Sequence, residues 1–172
     1  MLLSVSKFFL YAALFSVVIV MNSTFFPFIG GKYFFFRTMV SFALVAFLLW
    51  WAFQAKAGEL MARFERFASR PLAIAVTAFA VAFLLACIFA YDPHAAFWSN
   101  FERAEGGFQM LHYFVFFVLA LLVWENDKDW SRAFKVALIA AFLMILYGVG
   151  AAALLEGFIG PYRLDSGQPA AP

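Results

Sequence analysis

The stretch Leu72-Ala73-Ile74-Ala75-Val76-Thr77-Ala78-Phe79-Ala80-Val81-Ala82-Phe83-Leu84-Leu85-Ala86-Cys87-Ile88-Phe89-Ala90 decides the fold. It carries no charge over its whole length. A hydrocarbon core of ~30 Å needs about 20 apolar residues at ~1.5 Å each, and this run supplies them. Four more runs of the same kind flank it. The first covers 2–21 and is interrupted only by Ser4, Ser6, Lys7 and Ser16. The second covers 33–54 with Arg37 inside it, the fourth 108–124 and the fifth 134–155. Gly106 and Gly107 bring the short fourth run to the surface.

Composition agrees. The 172 residues are 66% hydrophobic, 22% aromatic and 13% charged, more apolar surface than a soluble domain of this size buries. Lipid offers no partner to a free backbone N–H or C=O, so every span is expected to be helical. The sequence therefore predicts an all-α, polytopic transmembrane bundle of five helices over residues 1–160. An outer-side tail follows at 161–172. The first run reads as a retained helix: no small-x-small cleavage site follows it, and the chain continues into Phe25, Phe26, Phe28 and Ile29. The Asn22-Ser23-Thr24 triplet matches a glycosylation sequon but reads as a polar helix end beside the membrane.

Orientation follows from Lys and Arg. With the N-terminus inside, the inner segments hold eight: Lys7, Lys56, Arg63, Arg66, Arg70, Lys128, Arg132 and Lys135. The outer side holds four: Lys32, Arg37, Arg103 and Arg163. That excess predicts N-inside and C-outside. Trp50, Trp51 and Trp124 fall at inner helix ends, Trp130 in an inner loop and Trp98 in an outer one, the interfacial places Trp prefers. The net charge of +2 thus reflects topology and gives no argument for nucleic acid binding.

Cys87 stands alone, so no intrachain disulfide is possible. His94 and His112 lack a second ligand at metal spacing, and no Walker loop or Gly-rich dinucleotide turn occurs. No cofactor is expected. Ala78, Ala82, Ala86 and Ala90 form a small-residue stripe, as do Gly148 and Ala152, and such stripes let helices approach closely within a bundle. Of the inner connections, 55–71 reads as a helical extension or surface helix with a Glu59–Arg63 pair, and 127–135 as a short charged turn. Both are expected to be solvated and to face headgroups.

The outer face concentrates the remaining polar residues. Asp92 suits a helix cap and Pro93 the first helical position, while Gly106-Gly107 stops the segment. Between them Phe97, Trp98, Phe101 and Ala104 share one side, and Ser99, Glu102 and Arg103 the other. This predicts a short surface helix over 94–105. Arg37 lies about 6 Å into its span. It reads either as a snorkelling side chain or as an anion ligand. Paired with Arg103 it would give a two-point diphosphate site, because guanidinium grips phosphate oxygens bidentately.

The run Phe25-Phe26-Pro27-Phe28-Ile29-Gly30-Gly31-Lys32-Tyr33-Phe34-Phe35-Phe36-Arg37 resembles the opening of O-antigen ligase family membrane proteins. So does Asp92-Pro93 followed by Phe97-Trp98-Ser99-Asn100-Phe101-Glu102-Arg103-Ala104-Glu105-Gly106-Gly107, and so does the Leu111-His112 pair. The resemblance covers about 25–160. It implies transfer of a glycan from an undecaprenyl-diphosphate carrier on the periplasmic side of a bacterial inner membrane. The acceptor would be a lipid A-core sugar, a growing polymer or a protein side chain. It implies neither metal nor nucleotide sugar, and membrane lipids as surroundings. The family's catalytic Arg and His belong to a later half, so no catalytic residue is assigned here, and His112 is not equated with one. The ending Ser166-Gly167-Gln168-Pro169-Ala170-Ala171-Pro172 reads as a truncation of such an enzyme, inactive alone. The substrate-binding candidates are Arg37, Ser99, Glu102 and Arg103. Two other classes stay open: a membrane scaffold or assembly subunit without chemistry, and a small transporter, against which the scarcity of charge inside the spans weighs.

Overall fold

A computed structural model describes residues 1–20, 30–56, 58–99 and 105–159, the last of them, 154–159, as backbone only. Among these there is no strand. Seven α-helices follow in order: α1 Leu2–Leu14, α2 Gly30–Phe53, α3 Glu59–Ala68, α4 Pro71–Ile88, α5 Pro93–Trp98, α6 Gly107–Val123 and α7 Asp127–Ile159. A 3-10 turn, Phe15–Val18, prolongs α1. Gly30–Phe53, Pro71–Ile88 and Asp127–Ala153 are long and apolar enough to cross a membrane. Leu2–Val18 and Gly107–Val123 are shorter apolar helices. This is consistent with a membrane protein.

Local chemistry explains the boundaries. Gly58 takes the left-handed φ of 81° that turns the chain from α2 into α3. Glu59 opens α3, and its carboxylate accepts from the Lys56 backbone N–H, satisfying a donor just outside the helix. Arg70 is extended and Pro71 occupies the first turn of α4. Asp92 caps α5 as expected: its Oδ1 accepts from the Ala95 N–H at 2.9 Å. The helix stops sooner than the 94–105 expectation. It ends at Trp98, and Ser99 takes a φ of 61°, which few non-glycine residues adopt. Residues 100–104 lie outside the described residues, as does the Asn22-Ser23-Thr24 triplet.

The core is built by α1, α2 and α6. Leu10, Ala43, Phe47, Leu119, Ala120 and Val123 belong to one buried apolar cluster. Buried Ser6 donates its hydroxyl to the Ala43 carbonyl at 2.9 Å, a polar link between α1 and α2 inside the apolar layer. By contrast α4 and α7 bury narrow stripes, Ala73, Ala80 and Cys87 on one and Ala133 and Ala140 on the other. Both turn most of their apolar surface outward, as a helix with one face to lipid does.

Three expectations need correction. The 127–135 segment is not a turn: it is the start of α7, because Asp127 and Asp129 in the first turn complement the positive helix end. Ala78, Ala82 and Ala86 do not pack into the bundle: they are exposed, and the buried side of α4 repeats every seventh residue instead. Gly148 and Ala152 are likewise exposed on α7.

Candidate functional site

Two polar assemblies sit at opposite ends of the bundle. The first surrounds Arg37. Helix α2 places it one turn after Tyr33, and the Arg37 Nε donates to Gln109 Oε1 on α6 at 2.6 Å. Its guanidinium carbon lies 4.9 Å from the centre of the Phe108 ring, a cation–π contact. Gln109 is only 1% exposed, so the side chain that holds Arg37 is fixed by the bundle. The Tyr33 hydroxyl donates to Glu105 just before α6. His112 Nδ1 lies 2.8 Å from the Phe108 carbonyl, and its ring meets Phe108 edge-on at 4.6 Å.

Helix α5 docks beside this cluster. Phe97 and Trp98 pack on Phe108 at 6.2 and 5.0 Å between ring centres. Glycine makes the approach possible. A Cβ on Gly106 would meet the Phe97 carbonyl carbon and the Ser99 nitrogen at 2.8 Å, and one on Gly107 would meet the Phe97 ring at 2.8 Å and Cys87 Sγ at 3.1 Å. The Gly-Gly pair is therefore a landing pad for α5 as well as the start of α6. Of the four binding candidates, Arg37 and Ser99 are described. Ser99 is half-buried at the end of α5. Glu102 and Arg103 lie outside the described residues.

The second assembly is one that sequence reasoning placed in solvent. Arg63 on α3 is 5% exposed. Its Nη1 donates to the Leu122 carbonyl at 2.6 Å, one of the last carbonyls of α6 that no intrahelical N–H satisfies. Its Nη2 pairs with Glu59 and Glu125, each at 3.0 Å, and its guanidinium carbon lies 4.8 Å from the centre of the Trp50 ring. The hydrogen bond from Arg63, then that from the Lys56 backbone, holds the Glu59 carboxyl below the usual carboxylate range. Arg66 also reaches Glu125. Nearby, Lys7 Nζ pairs with Asp129, which is 4% exposed, and the Tyr11 hydroxyl donates to the same residue. Tyr11 stacks on Trp124 at 5.4 Å. The 59-residue separation of Arg63 from Leu122 and the 122-residue separation of Lys7 from Asp129 hide these contacts from local pattern reading.

Gln109 escaped the sequence reading too. The available signal was an amide in the first turn of an otherwise apolar helix. Among the described residues no group of three or more His, Cys, Asp and Glu side chains is arranged to hold a metal. Comparison with family models, with curated proteins and with solved structures gives no match.

Proposed function

We propose that this chain is a membrane component of lipid-linked glycan transfer, of the O-antigen ligase kind. In this reading α1 with its 3-10 turn, α2, α4, α6 and α7 cross a bacterial inner membrane, with the N-terminus inside and the tail outside. The two shorter helices stand at the low end of the spanning range, which begins near ~17 residues. The Arg37 end then faces the periplasm and receives an undecaprenyl-diphosphate-linked glycan, for delivery to a lipid A-core sugar or another acceptor.

The observation that carries the reading is the fixed Arg37 guanidinium. Gln109 from one helix and Phe108 beneath it orient the side chain, so less rotamer freedom is lost when it grips a phosphate. Arg103 supplies the second guanidinium in this scheme, Glu102 orients it, and the Ser99 hydroxyl adds a hydrogen-bond partner. The test uses the full gene product in membranes. Arg37 and Arg103 are replaced singly by Ala and by Lys, insertion is verified, and transfer from an isoprenyl-diphosphate donor is measured. Ala variants lose transfer, and Lys variants recover it in part because ammonium lacks the bidentate fork. Wild-type transfer by all four removes these residues from the site.

Topology is tested separately by reporter fusions at Gln54, Gly107 and Gly167. An inside signal at either of the last two positions overturns the orientation. A scaffold without chemistry is the second reading. It is favoured by the Arg63 and Lys7 networks, which join helices rather than line a substrate site. Under it, the Arg37 and Arg103 variants all retain transfer, while variants at Arg63 abolish assembly.

A further inference from the structure

Because 127–135 is the start of α7 rather than a turn, its cations share a face. At about 100° per residue, Lys128, Arg132 and Lys135 fall within roughly 60° of one another, with Ser131 at the edge of the same sector. The bundle-facing side of the helix is a different one. Asp129, Ala133 and Ala140 are buried there, about 120° around the axis. Lys128, Arg132 and Lys135 are all exposed. Lys7 takes the Asp129 carboxylate at 2.5 Å and leaves Arg132 at 3.8 Å from it. Neither Lys128 nor Lys135 pairs with a carboxylate among the described residues.

These three cations, with Asp127 and Ser131, bound an open hollow of about 370 Å³. One liquid water takes up ~30 Å³, so a phosphate fits there together with its hydration. Further along the same side of α7 come Leu138, Ile139, Phe142, Leu146 and Val149. Each is more than half exposed. From Leu138 to Val149 the helix rises about 16 Å. One leaflet of a ~30 Å hydrocarbon core is ~15 Å deep. Cationic surface and apolar surface therefore follow each other on one face, over the length of a headgroup and then of an acyl chain.

We propose that this face of α7 seats an anionic phospholipid. Lys128, Arg132 and Lys135 surround its phosphate, and an acyl chain lies along Leu138, Phe142 and Leu146. Charge complementarity selects the headgroup. Three cations against the single Asp127 carboxylate leave a positive surplus at the rim, and a zwitterionic lipid would bring its own ammonium against it. The apolar stripe selects a lipid over a soluble phosphate, because one amphiphile covers both parts of the face. This inference rests on α7 crossing the membrane and is independent of glycan transfer.

The test uses the purified full chain in neutral-detergent micelles, with phosphatidylglycerol, phosphatidylcholine and glycerol phosphate as probes. Binding is measured for the wild type, Lys128→Gln, Lys135→Gln, Arg132→Gln, Arg132→Lys and the Lys128→Gln/Lys135→Gln double variant. A Lys56→Gln/Arg70→Gln variant removes the same net charge from outside this face. Helix content by circular dichroism verifies folding, and the single variants, all at exposed side chains, decide the matter if a double variant does not fold. The wild type should retain phosphatidylglycerol over phosphatidylcholine. Each Gln substitution on the face should weaken phosphatidylglycerol about fivefold, and the double variant about 25-fold. Arg132→Lys and Lys56→Gln/Arg70→Gln should keep most of the preference, and glycerol phosphate should not compete. Equal retention of the two lipids, competition by glycerol phosphate, or a loss in Lys56→Gln/Arg70→Gln as large as in Lys128→Gln/Lys135→Gln overturns the proposal. Release of the wild type from membranes by carbonate extraction overturns the spanning of α7, and the lipid seat with it.

Discussion

Replacing Arg63 by Ala tests whether the Arg63 network holds the bundle together. The side chain joins α2 through Trp50, α6 through the Leu122 carbonyl, and the α6–α7 connection through Glu125. A hydrogen bond from a charged donor contributes about 1.5–3 kcal/mol. A cation–π contact screened from water adds ~0.5–2 kcal/mol. The Glu59 pair adds little, because its carboxylate is open to solvent. Glu125 is about a third exposed and keeps Arg66, so no buried charge is orphaned. The expected loss is therefore about 2–5 kcal/mol. Arg63→Lys keeps the charge but loses the fork and the stacking, and should fall between the two. Arg66→Ala is the control. Its side chain is 58% exposed, and a surface pair of that kind is worth at most about 1 kcal/mol. The assay is equilibrium unfolding in mixed micelles followed by circular dichroism. If Arg63→Ala lies within about 0.5 kcal/mol of the wild type, the network is solvated and the reasoning fails.

Gly106→Ala should dislodge α5, because its methyl would press on the backbone at Phe97 and Ser99, whereas Gly148→Ala, with nothing within 4 Å, should be silent. Fluorescence of Trp98, compared between the two variants in a background lacking the other tryptophans, reads the difference. Asp129→Ala leaves the Lys7 ammonium without its partner and should destabilise by about 1–3 kcal/mol, with Lys7→Met/Asp129→Leu recovering part of the loss. The same unfolding assay measures both. The Glu59 carboxyl is depressed in the folded chain, so its contribution is present above the ordinary carboxylate range and is lost as pH falls through the lowered folded value. Glu59→Gln should accordingly narrow the stability difference between neutral and acid pH, and an unchanged acid limb would contradict that pairing.

Helix α4 shows how far the sequence could be read. Its existence follows from an uncharged run, and Arg70-Pro71 marks its start. Its buried face does not follow, since a helix apolar on all sides carries no periodic signal, and lipid accepts what a core accepts. The alanine stripe therefore faces outward, contrary to the sequence expectation, while Ala73, Ala80 and Cys87 face inward. The α5 cap was legible because Asp92 and Ala95 are neighbours in the chain. The same chemistry at the start of α7 was hidden by its charge density, which resembles a loop until Asp129 is seen to meet Lys7. At the candidate site, Arg37 stood out as a charge within an apolar run. Its holder Gln109 did not, because a single amide near a helix end draws no attention until its neighbour across the bundle is known.

The distance along the chain between Arg63 and Glu125 also sets a timetable for biosynthesis. At roughly 5–20 residues per second, the ribosome adds the 62 residues from Phe64 to Glu125 in about 3–12 seconds. Throughout that interval the α3 guanidinium has only Glu59 and the Trp50 ring to meet it. Glu125 and the Leu122 carbonyl have not yet been made. A side chain this polar waits in water, so if α2 enters a bilayer as proposed, α3 stays at its surface during that interval. The junction closes only once α6 has been delivered, and the last carbonyls of that helix then find a donor already in place.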